Sequence, residues 1–352
     1  MTDLSADAPP VRVRTSAPTL NDVAEAAGVS LATASRVLNG STRKVAESYR
    51  DRVVAAADEL GYTANLSAQA TAKGTSAVIA LLVADIADPY FGQLASGVAR
   101  GADEAGLIVT ISVTERDPAR EIRLVRALRG QRPRGLILAA SRSTESSAPE
   151  LQHELDALTA TGGRVVALGP GGGDVRAVLI DNESGARALG AALAERGFGS
   201  AIVLGAQEGV RTSDDRIAGF TAGFASGGGA VVRVYRGAFT REAGERVMRE
   251  ALADGIEPGT LVFAISDLVA IGALTALREA GRSVGSDIAL AGFDDIPAAR
   301  DVSPALTSVR VPLESVGYQA LRAAVDETWQ QDPAGIPLEV VLRDSTPRRQ
   351  HA

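Results

Sequence analysis

Eight short apolar segments recur along residues 76–345, separated by helical stretches that end in glycine. A continuous apolar strand between helices is buried on both faces, which is typical of a parallel sheet covered by helices. About nine or ten strands in this region favour two doubly wound α/β lobes over a single sheet. The segments are AVIALLV, LIVTISV, GLILAA, RVVAL, RAVLI, SAIVLG, LVFAI and IALAG.

Residues 19–62 have a different, all-α pattern of short helical segments. A Gly-Val-Ser turn between the first two helices is the sequence form of a helix-turn-helix, whose second helix enters the major groove of DNA. The sequence predicts helix starts capped by Thr19 with Asp22 and by Ser30 with Thr33, and a third helix from about Glu47 to Leu60 that ends at Gly61.

The second helix has two chemically different sides at helical spacing. One side is apolar and is expected to pack against the other helices. The opposite side is small and carries one positive charge, which suits a groove lined with hydrogen-bonding groups. The packing side carries Ala34, Val37 and Leu38, and the outward side carries Ala32, Ser35 and Arg36, flanked by Leu31 and Thr33.

Composition excludes several classes of chemistry. The chain has no cysteine and two histidines, His153 and His351, so it can form neither disulfides nor thiolate metal sites, and we expect no metal and no cofactor. With only these two histidines, the sequence offers almost no candidate for the histidine of a Ser-His-Asp catalytic triad. An NAD-dependent enzyme would also need doubly wound lobes, but GPGGGD departs from the dinucleotide motif at Asp174. The chain is therefore not expected to be an enzyme.

Charge and the N-terminus bear on location and partners. No secretory signal and no apolar stretch long enough to span a membrane is present, which predicts a cytoplasmic protein. Residues 1–18 are rich in proline, serine and charge and are expected to be disordered. The net charge is −7, yet residues 10–76 carry eight basic and six acidic side chains, a modest basic excess at the expected DNA-binding end.

With these elements in this order, the chain resembles the LacI family of bacterial transcriptional regulators. The resemblance covers residues 19 to about 345. It implies a helix-turn-helix headpiece, a hinge, and a two-lobed effector-binding domain like that of periplasmic binding proteins. The motifs that carry it are TLNDVAEAAGVSLATASRVLNG, RDRVVAAADELGYTAN, DIADPYFGQLASGV, IDNESGARALGAAL, RIAGF, SDLVAIGALTALRE and GFDDIPAARDVSPALTSVR.

The resemblance also implies domain limits. The headpiece spans 19–63, the hinge 64–76 and the effector-binding domain 77–346, followed by a tail. Its first lobe comprises about 77–175 and 303–325, and its second lobe about 176–302 and 326–346.

Further implications are a homodimer, a palindromic double-stranded DNA operator and a small effector that shifts operator affinity, with repression as the expected outcome. Arg36 can bind guanine through two hydrogen bonds, which discriminates by about 1 to 3 kcal/mol. Leucine and alanine in the same groove contact thymine methyl groups. The residues implied in DNA binding are Ser30, Leu31, Ala32, Thr33, Ser35, Arg36 and Asn39.

The segment NLSAQATAKGTS occupies the place of the family's hinge, which inserts leucines into the minor groove. This chain departs from the pattern, because Thr71 stands at the usual wedge position and Gln69 where arginine is common. Apolar wedges are what separate stacked base steps, so threonine is poorly suited to that task. The hinge positions considered are Leu66, Ala68, Gln69 and Thr71.

The cleft between the lobes is the expected ligand site, because ligands of open α/β folds bind at the carboxyl ends of strands. Aromatic rings there would stack on a sugar or base, and an arginine with a carboxylate would hold vicinal hydroxyls. The resemblance implies that the effector contacts Tyr90, Phe91, Arg216, Phe239 and Asp294, and position at the end of a strand adds Ser141, Ser266 and Asp267.

The effector class stays open at this point. Gly169 stands where the family's sugar binders often place an acidic residue, so one hydroxyl acceptor is missing. A sugar is the preferred ligand, and a nucleoside or purine is the alternative. A two-lobed solute-binding protein without DNA function is the rival class, which would be expected to carry a secretion signal and no helix-turn-helix.

Overall fold

The computed structural model describes residues 17–38, 45–63, 76–140, 149–170 and 173–349. The chain separates into two compact units, Met1–Ala72 and Lys73–Ala352, which are described in turn. The expected disordered leader lies almost entirely outside the described residues.

The first unit contains three helices, α1 (Leu20–Ala26), α2 (Leu31–Leu38) and α3 (Glu47–Leu60). They enclose a small core, because each helix buries its short apolar side chains against the others. The buried members of this core are Val23, Ala24, Ala27, Ala34, Val53, Ala56 and Ala57, with Val37 and Leu38 partly buried beside them.

The helix ends follow the sequence signals. Thr19 and Asp22 form a reciprocal capping box at α1, in which the Asp22 backbone N–H donates to Thr19 Oγ1 at 3.3 Å. The Thr33 backbone N–H donates to Ser30 Oγ at 3.2 Å, which satisfies a free donor at the start of α2. Gly61 ends α3 at φ +61°, a left-handed conformation that suits glycine. The predicted helix starts and the end of α3 are therefore confirmed.

The second unit is built on two parallel sheets. The first has the strand order β2-β1-β3-β4-β5 and the second the order β7-β6-β8-β9. The first sheet comprises β1 (Val78–Val83), β2 (Ile108–Val113), β3 (Gly135–Leu138), β4 (Arg164–Leu168) and β5 (Arg176–Val178), and the second comprises β6 (Ser200–Ala206), β7 (Ala230–Gly237), β8 (Leu261–Ala264) and β9 (Ala289–Ala291).

Helices cover both sheets, and the unit also contains a short antiparallel pair of strands. Strand β10 (Ser308–Arg310) pairs with β11 (Glu339–Val341). The helices are α4 (Pro89–Glu104), α5 (Pro118–Gly130), α6 (Pro149–Ala160), α7 (Asn182–Glu195), α8 (Arg211–Ser226), α9 (Arg241–Ala253), α10 (Asp267–Glu279), α11 (Ala298–Asp301) and α12 (Leu313–Val325). Within the described part of the chain, no helix has both the length and the apolar character needed to cross a membrane.

The structure corrects two of the expected lobe limits. Strand β5 pairs with β4, so the first lobe extends to Val178 rather than ending at about residue 175. Residues 307–310 join the second lobe instead of the first, because the Gly292 N–H donates to the Thr307 carbonyl and the Asp294 N–H to the Val309 carbonyl, each at 2.8 Å. Helix α12 packs on α4, β3, β4 and β5 and does belong to the first lobe.

Glycines allow α7 and α8 to pack with their backbones in contact. A Cβ atom at Gly223 would lie 1.9 Å from the Arg187 carbonyl oxygen, and one at Gly219 would lie 2.1 Å from the Glu183 carbonyl oxygen. Because both obstacles are backbone atoms, neither helix can accept a larger residue without moving apart. The glycine positions of α8 are therefore required by packing.

Gly223→Ala is expected to lower the free energy of unfolding by about 1 to 3 kcal/mol, the usual cost of overpacking a core. Urea denaturation of the purified protein measures the change. Gly92→Ala is the matched control, because this helical position in α4 has no neighbouring atom within 4 Å of an added Cβ. Alanine there is expected to be neutral or stabilising by about 0.5 to 1 kcal/mol. Equal losses in the two variants would contradict this account of the helix contact.

Candidate functional site

The outward side of α2 is accessible. Leu31 is 49% exposed, and Ala32 and Arg36 are also exposed, whereas Ala34 on the opposite side is fully buried. The structure thus presents Leu31, Ala32 and Arg36 on the free side of the helix, as the sequence pattern suggested. Ser30 is exposed and Thr33 and Ser35 are half-buried at the edge of this surface. Their contact with DNA stays a prediction.

Several residues implied in operator binding cannot be placed. Asn39 and the hinge positions lie outside the described residues, so the structure does not test their roles. The hinge positions are Leu66, Ala68, Gln69 and Thr71.

A cavity of about 390 Å³ lies between the two lobes of the second unit. Its walls come from the carboxyl ends of strands in both sheets, which is where ligands of such folds bind. Six of the residues implied in effector binding line it, namely Tyr90, Phe91, Arg216, Phe239, Ser266 and Asp294. Ser141 lies outside the described residues.

Arg216 and Asp294 form a buried ion pair in the cavity wall. Arg216 Nη2 lies 2.8 Å from Asp294 Oδ1, and both side chains are more than nine-tenths buried. Arg216 also donates from Nε to Asn182 Oδ1 at 2.8 Å and from Nη1 to the Ile265 carbonyl at 2.6 Å, while its guanidinium lies 3.9 Å from the Phe293 ring centroid. Four neighbours fix the arginine in one orientation.

Burial affects the ionisation of Asp294. Its carboxylate lines the cavity beside Arg216, whose hydrogen bond and positive charge favour the ionised form. Burial raises the pKa of Asp294 to about 7, and the attraction of Arg216 offsets this only in part. Burial also raises the pKa values of Asp88 and Tyr90 in the same cavity.

Asp294→Asn is expected to flatten the dependence of stability on pH between about pH 4 and pH 7. The pKa of Asp294 rises from 3.8 to about 7 on folding, so the folded protein retains a proton that the unfolded chain has lost. The contribution of Asp294 to the free energy of unfolding therefore falls as the pH rises from about 4 to about 7. Thermal unfolding at about pH 5 and pH 8 measures the fall, which should be larger in the parent than in the variant.

Asp326→Asn is the control for this measurement. Hydrogen bonds from Thr328, joined by one from Arg322, lower the pKa of Asp326 to about 2, so Asp326 stays ionised across the tested range. This variant should retain the pH dependence of the parent. If Asp294→Asn retained it as well, Asp294 would not be the group that titrates.

The expectation that Asp267 contacts the effector is wrong. Asp267 is fully buried, does not line the cavity, and accepts hydrogen bonds from Ser308 Oγ at 2.7 Å and the Ile296 N–H at 2.9 Å. Its carboxylate thus ties the start of α10 to the segments that carry Asp294 and β10. Burial raises the pKa of Asp267 well above its ordinary value. We assign it a role in positioning the Asp294 loop.

Sequence reasoning missed part of the cavity wall. Asp117 begins α5 in the same way as Asp88 begins α4, since each carboxylate accepts a hydrogen bond from the backbone N–H two residues later. An Asp-Pro dipeptide a few residues after a strand is therefore the signal that could have revealed this second wall. The missed lining residues include Asp88, Thr114, Arg116, Asp117, Glu121, Gln207 and Thr212.

Family models match both parts of the chain. Residues 19–65 match the model described as bacterial regulatory proteins, lacI family, and residues 190–346 match the periplasmic binding protein-like domain. The chain is 34% identical over 309 residues to the HTH-type transcriptional regulator GalS of Salmonella typhimurium, covering 87% of this chain and 89% of GalS. This chain belongs to the LacI family. Among its relatives is also the regulator CelR of Thermobifida fusca, 32% identical over 334 residues, with 92% of this chain and 96% of CelR covered.

Solved structures of LacI-family proteins share the fold. The lac repressor dimer bound to operator and the anti-inducer ONPF matches with a TM-score of 0.80 at 24% identity, covering 94% of this chain and 100% of the repressor chain. The complex of CelR with cellobiose matches with a TM-score of 0.66 at 30% identity, covering 93% and 99%. These matches confirm the predicted architecture of a helical headpiece and an α/β domain with parallel sheets.

Membership of the LacI family decides between the classes considered from the sequence. The relatives are HTH-type transcriptional regulators, so the chain is a DNA-binding regulator and not an enzyme, as the sequence indicated. The same matches exclude a solute-binding protein without DNA function.

Proposed function

We propose that this LacI-family regulator binds a palindromic operator as a homodimer, and that a sugar in the inter-lobe cavity changes its operator affinity, with repression as the ground state. The observation that carries the ligand class is the Arg216–Asp294 pair, which places a guanidinium and a carboxylate side by side in the cavity wall. An arginine and a carboxylate together can donate to and accept from neighbouring hydroxyl groups.

Aromatic rings in the same cavity support a sugar. Tyr90, Phe91 and Phe239 line it, and an aromatic face packs well against the apolar face of a sugar ring. The relative CelR has been solved with cellobiose bound. Both observations favour a neutral, polyhydroxylated ligand.

The homodimer is supported by an exposed apolar edge. Ile108 and Ile111 on the edge strand β2 are 53% and 41% exposed, and Ile86 is 68% exposed. Exposed isoleucines on an edge strand favour association with another chain that covers them. The lac repressor, which shares this fold, has been solved as a dimer. Sedimentation equilibrium should therefore give the mass of two chains, and a monomer at micromolar concentration would contradict the proposal.

Thermal unfolding against a panel of pentoses, hexoses, disaccharides, nucleosides and purines tests the ligand class. A ligand present at a hundred times its dissociation constant stabilises the folded protein by about 2.7 kcal/mol. We expect one of the sugars to stabilise the protein, and Phe239→Ala to lose most of that effect. Val232→Ala, at an exposed position outside this cavity, should keep it.

The other outcomes of the panel are equally informative. Stabilisation by a nucleoside or purine alone would overturn the sugar assignment and point to base stacking on Tyr90 or Phe91. Absence of stabilisation by any sugar would contradict the proposed ligand class, while leaving the DNA-binding function to be judged by operator binding.

A further inference from the structure

A hydrogen bond between two residues of the cavity wall joins the two lobes. Arg116 follows β2 in the first lobe, and its Nη2 atom donates to the carbonyl oxygen of Phe239 at 2.9 Å. Phe239 follows β7 in the second lobe, and both residues line the cavity. The two lobes are thus joined at a point far along the chain from the connecting segments at β10 and β11.

The backbone at Arg116 is held in an unusual conformation. Glu115 and Arg116 have φ values of 56° and 57°, a left-handed region that is costly for residues other than glycine. The Glu115 N–H donates to the Ala84 carbonyl at 3.0 Å, and Asp117 accepts from the Ala119 N–H at 2.8 Å. Contacts on both sides therefore maintain a turn that directs Arg116 across the cleft.

The acceptor belongs to a well-fixed part of the second lobe. Phe239 directly precedes Thr240, whose side chain accepts a hydrogen bond from the Ala243 N–H at 3.1 Å and begins α9. Arg116 is exposed, and the nearby Asp88 carboxylate attracts its charge. A single hydrogen bond from an exposed side chain contributes little to stability, so this contact can open and close readily.

We propose that Arg116 is a positioning residue that closes the ligand cleft: its hydrogen bond to the Phe239 carbonyl holds the lobes together and places the Phe239 ring against the ligand. Loss of this side chain shifts the protein toward an open cleft without unfolding it.

The chain offers a clean test because it has no cysteine. Spin labels attached at Ala127→Cys on α5 and Glu242→Cys on α9, both exposed, report the distance between the lobes by double electron–electron resonance. The measurement is made on the full-length protein without ligand. In Arg116→Ala we expect the ratio of long to short inter-lobe distances to rise about two- to tenfold, the range for loss of one hydrogen bond.

Arg123→Ala is the matched control. Arg123 lies on the same helix as the first label, and its ion pair with Asp117 at 3.9 Å stays within the first lobe. The inter-lobe distance distribution of the Arg123→Ala protein should match that of the parent. Both variants should keep the parent's melting temperature within a few degrees. A distribution for Arg116→Ala that superimposes on the parent, or an equal change in Arg123→Ala, would overturn the proposal. The proposal rests on the proposed effector site, but the measurement contains neither DNA nor effector, so its failure is distinguishable from failure of the proposed function.

Discussion

Arg216→Ala is expected to lower the free energy of unfolding by about 3 to 5 kcal/mol, the usual cost of removing one partner of a buried ion pair. The change removes the charge that keeps the pKa of the buried Asp294 from rising further, and it also removes the donors to Asn182 and the Ile265 carbonyl. Urea denaturation of the purified protein at neutral pH measures the loss. Because Arg216 lines the cavity, stabilisation by the effector should disappear in the same variant.

A double variant separates the two consequences. Arg216→Met with Asp294→Leu removes both charges, and replacing a buried pair by apolar residues is often neutral or stabilising. We therefore expect most of the stability to return while the effector response stays lost. Arg246→Ala is the control, since its pair with Glu250 is exposed and contributes about 0.3 to 0.5 kcal/mol. An Arg216→Ala protein as stable as the Arg246→Ala protein would contradict this account of the cavity wall.

Arg36→Ala is expected to reduce discrimination between the operator and a variant with one altered guanine by about 5- to 150-fold, the equivalent of 1 to 3 kcal/mol. Arg36 is the charged residue on the exposed side of α2. The neighbouring Leu31 and Ala32 can make only apolar contacts with DNA. Fluorescence anisotropy with both DNA sequences at one salt concentration gives the ratio of affinities.

Two further variants show whether Arg36 recognises a base. Arg36→Lys keeps the positive charge but cannot form two parallel hydrogen bonds to guanine. It should therefore also lose most of the discrimination between the two DNA sequences. Arg50→Ala removes an exposed arginine from α3. Any loss of affinity in this variant should be the same for both DNA sequences, because a phosphate contact carries no sequence information. If Arg36→Ala also weakened both sequences equally, Arg36 would contact phosphate and not guanine.

Local signals allowed much of the fold to be predicted. The caps of α1 and α2 and the end of α3 follow from Thr19, Ser30 and Gly61, because each satisfies free helix-end groups using atoms within a few residues. All eight apolar segments predicted to be strands form parallel strands in the structure. Burial on both faces of a sheet requires apolar residues along the whole strand, so the pattern is easily recognised.

The elements that were missed depend on less regular patterns. Strand β7 lies at the edge of its sheet, where Arg233 and Arg236 interrupt the apolar run. Strands β10 and β11 have three residues each, too few to show any period. Their place is set by contacts with distant segments, such as the hydrogen bond from Arg310 to Asp295 at 2.9 Å.

The same limit applies to the cavity. Ser266, predicted from its position at the end of a strand, lines the cavity, but Asp267 has the same position and faces the interior instead. The difference arises from Ser308, which is 41 residues away in sequence and binds the Asp267 carboxylate. The Arg116–Phe239 contact joins residues 123 positions apart and has no local signal in the sequence.

Operator binding by the full-length protein tests the central claim most directly. Fluorescence anisotropy would follow binding to the DNA upstream of the protein's own gene across a series of salt concentrations, with and without the stabilising sugar. We predict tight binding that weakens steeply with salt, with a log–log slope of about −0.9 for each phosphate contacted, and a clear change in affinity when the sugar is added. Binding that is absent or independent of salt in both conditions would contradict the account.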